Sequence, residues 1–316
     1  MAELVQHLIN GLAQGTIYAL VALGYTMVYG VLKLINFAHG DVMMVGVYAG
    51  YATVHGITTR LGEEARTSFL TVTLVFLLSM AACALLGFLI ERFAYRPLRE
   101  KPRLVALITA IGVSFTLSYG FQIEWHVGDA TLLPGAAPKA FPEIIKPVEW
   151  IVLGADRDIV VWNWQVLSIA IAVGLMVLLQ FLVFRTRFGV AMRAVSFDHR
   201  TSALMGIPVD RIIALTFMLG SALAAGAGIL YAIKDTLVQP LMGVQLGLKA
   251  FVAAVIGGIG HVPGAVVGAL VLGLIEELVV GYASSTWRDA VAFAFLIIVL
   301  LVRPEGIFGR VQAEKV

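Results

Sequence analysis

Long apolar runs recur along the whole chain, and each has the length that only a bilayer or a very large core can bury. Eight of them lie near 5–31, 40–57, 68–90, 104–124, 160–184, 211–233, 264–282 and 287–302. A helix rises about 1.5 Å per residue, so about 20 mostly apolar residues cross the hydrocarbon. An unpaired backbone group there costs several kcal/mol, and a helix satisfies its own. The expected fold is an all-α polytopic membrane protein with about eight transmembrane helices, forming one domain over 1–316. A further apolar run, 248–259, is too short for a comfortable span and reads as a short broken or re-entrant helix. Composition points the same way. Hydrophobic residues make up 60% of the chain and charged residues 13%, against about half and about a quarter in soluble domains.

The opening MAELVQHLINGL has no basic stretch and no small-residue cleavage site, so the first run is expected to stay as a span. Cys83 is the one cysteine; it rules out a disulfide within the chain and reads as a small buried hydrophobe. A net charge of +2 suggests no nucleic-acid partner.

The charges are clustered, and the clusters orient the spans. Loop 91–103 holds Arg92, Arg96, Arg99, Lys101 and Arg103, and loop 185–211 holds Arg185, Arg187, Arg193, Arg200 and Arg211. Basic loops stay on the cytoplasmic side. Segment 126–158 has more acidic than basic residues, with Asp129, Glu143, Glu149, Asp156 and Asp158, and fits an external loop. Counting back places the N-terminus outside. Arg303, Arg310 and Lys315 place the C-terminus inside, which requires 248–259 to cross as a short broken helix.

Four stretches interrupt the apolar pattern. In LINFAHGD, Leu34 to Asp41, Asn36 can cap the following helix and Asp41 can sit in its first turn. His39 and Gly40 are not needed for a cap, and polar groups at membrane depth are often functional. In VIGGIGHVPGAVVGAL, Gly257, Gly258 and Gly260 precede Pro263. Such a run breaks a helix at a transport site or allows close helix packing. Glu276 and Glu277 are adjacent on one helix, about 100° apart. Being close to Tyr282, they are expected to reach the membrane interface. In Arg185 to Arg211, Ala191, Met192, Ala194, Val195, Ala203 and Leu204 keep helical spacing. Asp198 or Thr201 can start a second short helix that Gly206 and Pro208 end. A short amphipathic helix of this kind lies on lipid or docks on a protein.

No catalytic or metal-binding set stands out. The histidines form no H-x-x-x-H pattern, G-x-S-x-G is absent, and no G-K-[ST] phosphate loop occurs anywhere. The chain reads as no enzyme, with no cofactor and no metal.

The stretches GYTMVYGVLKLINFAHGD, ERFAYRPLR, LITAIGVSF, MGIPVDRIIALTFMLGSALAAGAGIL, KAFVAAVIGGIGHVPGAVVGAL and RPEGIFG together resemble the permease subunits of branched-chain amino acid ABC transporters, the LivH type. The resemblance runs through nearly the whole chain in the same order and is weakest in 126–158. It implies an importer in the bacterial inner membrane, in which the chain works with a second permease of the LivM type. Two cytoplasmic ATP-binding subunits drive such a transporter, and an external solute-binding protein delivers leucine, isoleucine, valine or a related solute. It also implies a translocation path beside Asn36, His39, Gly40, Asp41, Gly257, Gly258 and Gly260. The ATPase-coupling loop would use Arg193, Ala194, Asp198, Ala203 and Gly206. The permease of a urea or short-amide ABC importer would carry the same motifs. A secondary carrier would need acidic ion-coupling residues at mid-membrane, for which Glu276 and Glu277 are the candidates.

Overall fold

The computed structural model describes residues 2–99, 101–127, 130–153, 159–303 and 305–309. Asp129, Asp156, Asp158, Arg310 and Lys315, which entered the charge reading, lie outside the described residues.

The elements follow in chain order. Helices α1 (Ala2–Leu32), α2 (His39–Leu61) and α3 (Phe69–Ile90) come first, and α3 continues through a π turn over Glu91–Tyr95. After α4 (Arg103–Gly120) come the antiparallel pair β1 (Glu124–Val127) and β2 (Ala130–Pro134), the short β3 (Lys139–Ala140), and a second antiparallel pair, β4 (Glu149–Leu153) and β5 (Ile159–Trp162). Then come α5 (Asn163–Arg185), α6 (Arg187–Phe197), α7 (His199–Leu204), α8 (Val209–Lys234), β6 (Leu237–Val238), α9 (Met242–Gly257), α10 (Val262–Tyr282) and α11 (Arg288–Val302).

Among the described residues, six helical stretches are long and apolar enough to cross a membrane: α1, α3 with its extension to Leu98, α5, α8, α10 and 285–302. Helices α4 and α9 are shorter and apolar. Helix α2 is 23 residues long but carries His39, Asp41, His55 and Arg60. The all-α polytopic expectation holds. The strands, all of them two-stranded pairings, are confined to the segment between α4 and α5 and to the short β6.

Helix α1 is the centre of the bundle, buried along most of its length. It lies antiparallel to α10, and small residues let the two backbones meet. A Cβ on Gly11 would stand 2.9 Å from Leu274 Cα, and one on Gly15 would stand 2.8 Å from Leu270 Cα. Between apolar helices in lipid there is no hydrophobic drive to associate, so such close van der Waals contact is what holds them. Helices α3, α5 and α11 instead present bare Leu, Ile and Phe faces, as lipid-facing helices do.

Two ends can be told apart by contacts. At one, Arg96 and Arg99 both reach Asp210, and His199 Nε2 lies 2.9 Å from Val31 O. At the other, Gln6 Oε1 accepts a bond of 2.9 Å from Val160 N, and β3 pairs with β6. The two basic loops therefore share an end, and segment 126–158 belongs to the opposite one. Helix α9 runs beside α1 from the level of Tyr18 to that of Tyr29, so it carries the chain to the basic end.

Candidate functional site

The chain does not simply turn at the end of α1. Lys33 takes a left-handed φ of 55°, and residues 34–38 then lead back between helices. Asn36 is 3% exposed, and His39 and Asp41 are 1% exposed. Helix α2 thus starts inside the bundle. Its N-cap, Ala38, receives no side-chain cap. Asn36 is used otherwise: its Oδ1 accepts bonds from Ala38 N at 3.2 Å and from the Tyr95 hydroxyl at 2.9 Å. Asp41 does lie in the first turn, but its carboxylate accepts bonds from Ser114 at 2.5 Å and Ser118 at 2.6 Å, both on α4. Bonds to a charged group contribute about 1.5–3 kcal/mol each. The His39 ring packs edge-on against Tyr25 at 4.7 Å, and its Nε2 has no hydrogen-bond partner. A Cβ on Gly40 would stand 2.2 Å from Gly243 O, so α2 and α9 cross backbone to backbone. Residues 36–41 are thus the joint at which α2 meets α1, α4 and α9.

The glycine run forms the hairpin between α9 and α10. A Cβ on Gly257 would stand 2.0 Å from Gly264 O. Gly258 has φ +101° and lies against Gly309, where a Cβ would meet the amide nitrogen at 2.7 Å. Helix α10 opens with Pro263 in its first turn, and His261 Nδ1 caps it by accepting from Gly264 N at 3.0 Å. Residues near the chain's end close over the turn. Ile307 N donates to Ile256 O at 2.8 Å, Phe308 N donates to Gly257 O at 3.3 Å, and the Phe308 ring stacks on His261. Gly260 faces Tyr29 of α1.

The 185–211 loop folds into two helices, as its pattern suggests. Thr186 caps α6, and Asp198 caps α7 by accepting from Arg200 N and Thr201 N. Gly206, at φ +81°, ends the turn after α7. Arg193 folds back over Phe184 and donates to Val183 O, so it braces α6 against α5. Ala194 is half-buried, and Ala203 is exposed. Of the large apolar groups beside them, sequence reasoning named Leu204 but not Phe197 or Met205: Phe197 is 95% exposed, Leu204 87% and Met205 79%. Helical spacing alone does not say which face is covered, and the fold shows that these point outward.

Glu276 and Glu277 are not at the surface of the bundle. They are 0% and 6% exposed, because α10 turns both toward partners in the bundle. Glu276 Oε2 accepts from the Tyr18 hydroxyl at 2.9 Å, and its Oε1 lies 3.3 Å from Lys249 Nζ. Glu277 Oε1 accepts from Arg288 at 3.0 Å and lies 3.7 Å from Lys234 Nζ. Cys83 is fully buried, its thiol 3.2 Å from Val42 O. Among the described residues no group of His, Cys, Asp and Glu can hold a metal ion.

Comparison with known proteins adds to this geometry. The family described as "Branched-chain amino acid transport system / permease component" matches residues 7–300. The high-affinity branched-chain amino acid transport system permease protein LivH of Salmonella typhimurium is 40% identical over 313 residues, 99% of this chain and 97% of that one. The corresponding BraD of Pseudomonas aeruginosa is 39% identical over 315 residues, 99% and 98%. A probable LivH of Methanocaldococcus jannaschii is 25% identical over 300 residues, 92% and 88%.

Proposed function

The chain belongs to the family of permease components of branched-chain amino acid transport systems, and from that premise we propose how it works. It is the membrane permease subunit of an ABC importer for branched-chain amino acids. The observation that carries this reading is 40% identity over 99% of the chain to such a permease, on a helical fold with six stretches able to span a bilayer. It forms its translocation path with a second, LivM-type permease, in the bacterial inner membrane. ATP is hydrolysed on two separate ATP-binding subunits, and an external solute-binding protein hands over the amino acid. The basic end is cytoplasmic, so the N-terminus lies outside and the C-terminus inside.

Within the path, Asn36, His39, Gly40 and Asp41 form one fixed joint and Gly257, Gly258 and Gly260 another. The burial of Asn36, His39, Gly40, Asp41, Gly257 and Gly258 and the backbone contacts of Gly40, Gly257 and Gly258 support this role; Gly260 is exposed beside Tyr29. The ATP-binding subunit docks on the loop of Arg193, Ala194, Asp198, Ala203 and Gly206. The support is the apolar surface of Phe197, Leu204 and Met205 at the basic end. Exposed apolar groups of this size mark contact sites for protein or membrane.

Ala203→Glu tests the docking. In a packed interface the added carboxylate must be desolvated, at several kcal/mol. On a solvated helix it costs within about 0.5 kcal/mol. The variant should insert and stay folded but lose the ATP-binding subunit on purification, together with leucine uptake. Co-purification with normal uptake would reject the docking assignment.

A further inference from the structure

Lys249, Arg288 and Asp289, which the sequence reading did not single out, face a common cavity. It has a volume of about 340 Å³ and lies between α1, α8, α9 and the start of α11. Gln14, Tyr18, Gln245, Lys249, Arg288 and Asp289 line its polar side, and Met242 and Leu246 its apolar side. Its size is at the low end of small-molecule pockets. We propose that this cavity is the subsite that holds the ammonium and carboxylate of an aliphatic α-amino acid during passage.

The arrangement has the parts such a ligand needs. Ionisable side chains inside a membrane protein are expensive and persist where they are paired or line a pathway. Here both signs border one space. Lys249 is 8% exposed, and its ammonium is shared among Glu276 Oε1 at 3.3 Å, Glu276 Oε2 at 3.4 Å and Asp289 Oδ1 at 2.7 Å. Glu276 is buried and also accepts from the Tyr18 hydroxyl at 2.9 Å. The Asp289 side chain is 63% exposed, so its contact can be given up. A ligand carboxylate can take the place of Asp289 on Lys249, and the released Asp289 can accept from the ligand ammonium. The exchange keeps the number of ion pairs on Lys249 constant, which keeps entry and exit nearly balanced. Arg288 also lines this space and brings a second positive charge to it, with one of its nitrogens bonded to Glu277 Oε1 at 3.0 Å. A branched aliphatic side chain fits against Met242 and Leu246.

This inference rests on the importer reading above, and one experiment separates the two. The complete transporter, with its partner permease, ATP-binding subunits and solute-binding protein, is reconstituted in lipid nanodiscs. It is then illuminated with a leucine analogue carrying a diazirine in its side chain. The expected result is labelling of peptides containing 14–18 or 237–249, competed by excess leucine. Lys249→Gln should reduce that labelling at least tenfold, and Lys249→Arg should restore part of it. Should Lys249→Gln fail to assemble, Met242→Trp fills the apolar side without touching a charge and should abolish the same labelling. Labelling confined to other peptides, or unchanged labelling in an assembled Lys249→Gln or Met242→Trp transporter, overturns the subsite while leaving the importer intact. An assembled wild-type transporter that neither takes up leucine nor is labelled anywhere overturns the importer reading itself, and the subsite with it.

Discussion

Replacing Gly257 by alanine adds one methyl group at the tightest point of the α9–α10 hairpin. That carbon would lie 2.0 Å from Gly264 O, 2.3 Å from the Gly264 carbonyl carbon and 2.7 Å from Ala265 N. All three neighbours are backbone, so no side chain can swing aside. Helices α9 and α10 would have to part by more than about 1 Å. Overpacking of a well-filled site costs about 1–3 kcal/mol. The displaced end of α9 also strains the two bonds from Ile307 and Phe308, each contributing about 1 kcal/mol. The expected loss is therefore about 3–5 kcal/mol. For a chain of this size, 3 kcal/mol lowers the melting temperature by roughly 6–12 °C. Gly174 on α5 supplies the control, because nothing stands within 4 Å of a Cβ there. Gly174→Ala should leave stability equal or slightly raised, since alanine is favoured over glycine in a helix by about 0.5–1 kcal/mol. Both variants can be followed by thermal melting of the purified permease in detergent. A Gly257→Ala protein that melts within 2 °C of the parent, a margin of about 1 kcal/mol, would refute the claim that backbone contact sets the hairpin.

Three further outcomes concern the basic end. Glu91 is 1% exposed and pairs with Arg99, which also meets Asp210 at 2.6 Å; Arg99→Ala strands a buried carboxylate and should destabilise by about 3 kcal/mol in melting experiments. The Arg96–Asp210 pair is 38% and 49% exposed, so Arg96→Ala should cost less than about 1 kcal/mol in the same assay. Bonds from the Thr201 amide and hydroxyl, with a further one from Arg200 N, hold the Asp198 carboxyl below its ordinary range. The resulting stabilisation of α7 is complete above the ordinary carboxylate value of about 3.9 and is lost as pH falls through the depressed one. Amide exchange of Arg200 and Thr201 should thus stay slow down to about pH 4. Asp198→Asn should keep that protection and Asp198→Ala should lose it, because asparagine caps as well as aspartate does.

What could be read in advance depended on how local its cause was. The spans were legible because length and hydropathy decide them, and α7 was legible because Asp198 caps it within three residues. The end of α9 was legible, since Gly257, Gly258 and Pro263 crowd there, but the helix runs unbroken from Met242 to Gly257, starting six residues before the expected 248. The inward start of α2 was not. It depends on Tyr95, Ser114 and Ser118, which come from other helices and carry no mark of their destination. Glu276 finds Tyr18 across 258 positions, so its proximity to Tyr282 suggested the wrong surroundings. The exposure of Phe197 was not legible because helical spacing gives the period of a face and not the side that is covered. The short strands between α4 and α5 were left unspecified, being only two to five residues long.

The bonds from Ile307 and Phe308 to the end of α9 also bear on how the protein is made. A chain leaves the ribosome from its N-terminus, and its parts can settle only when their partners have emerged. Helices α9 and α10 can therefore enter the bilayer as a pair while the end of α9 still lacks two of its contacts. The pair is fastened only after α11 has followed and the segment behind it has folded back. Synthesis halted after α10 would yield a permease with all but one of its long helices inserted and its hairpin unlatched. Such a product would be open to quality-control proteolysis at Gly258 in a way the finished chain is not.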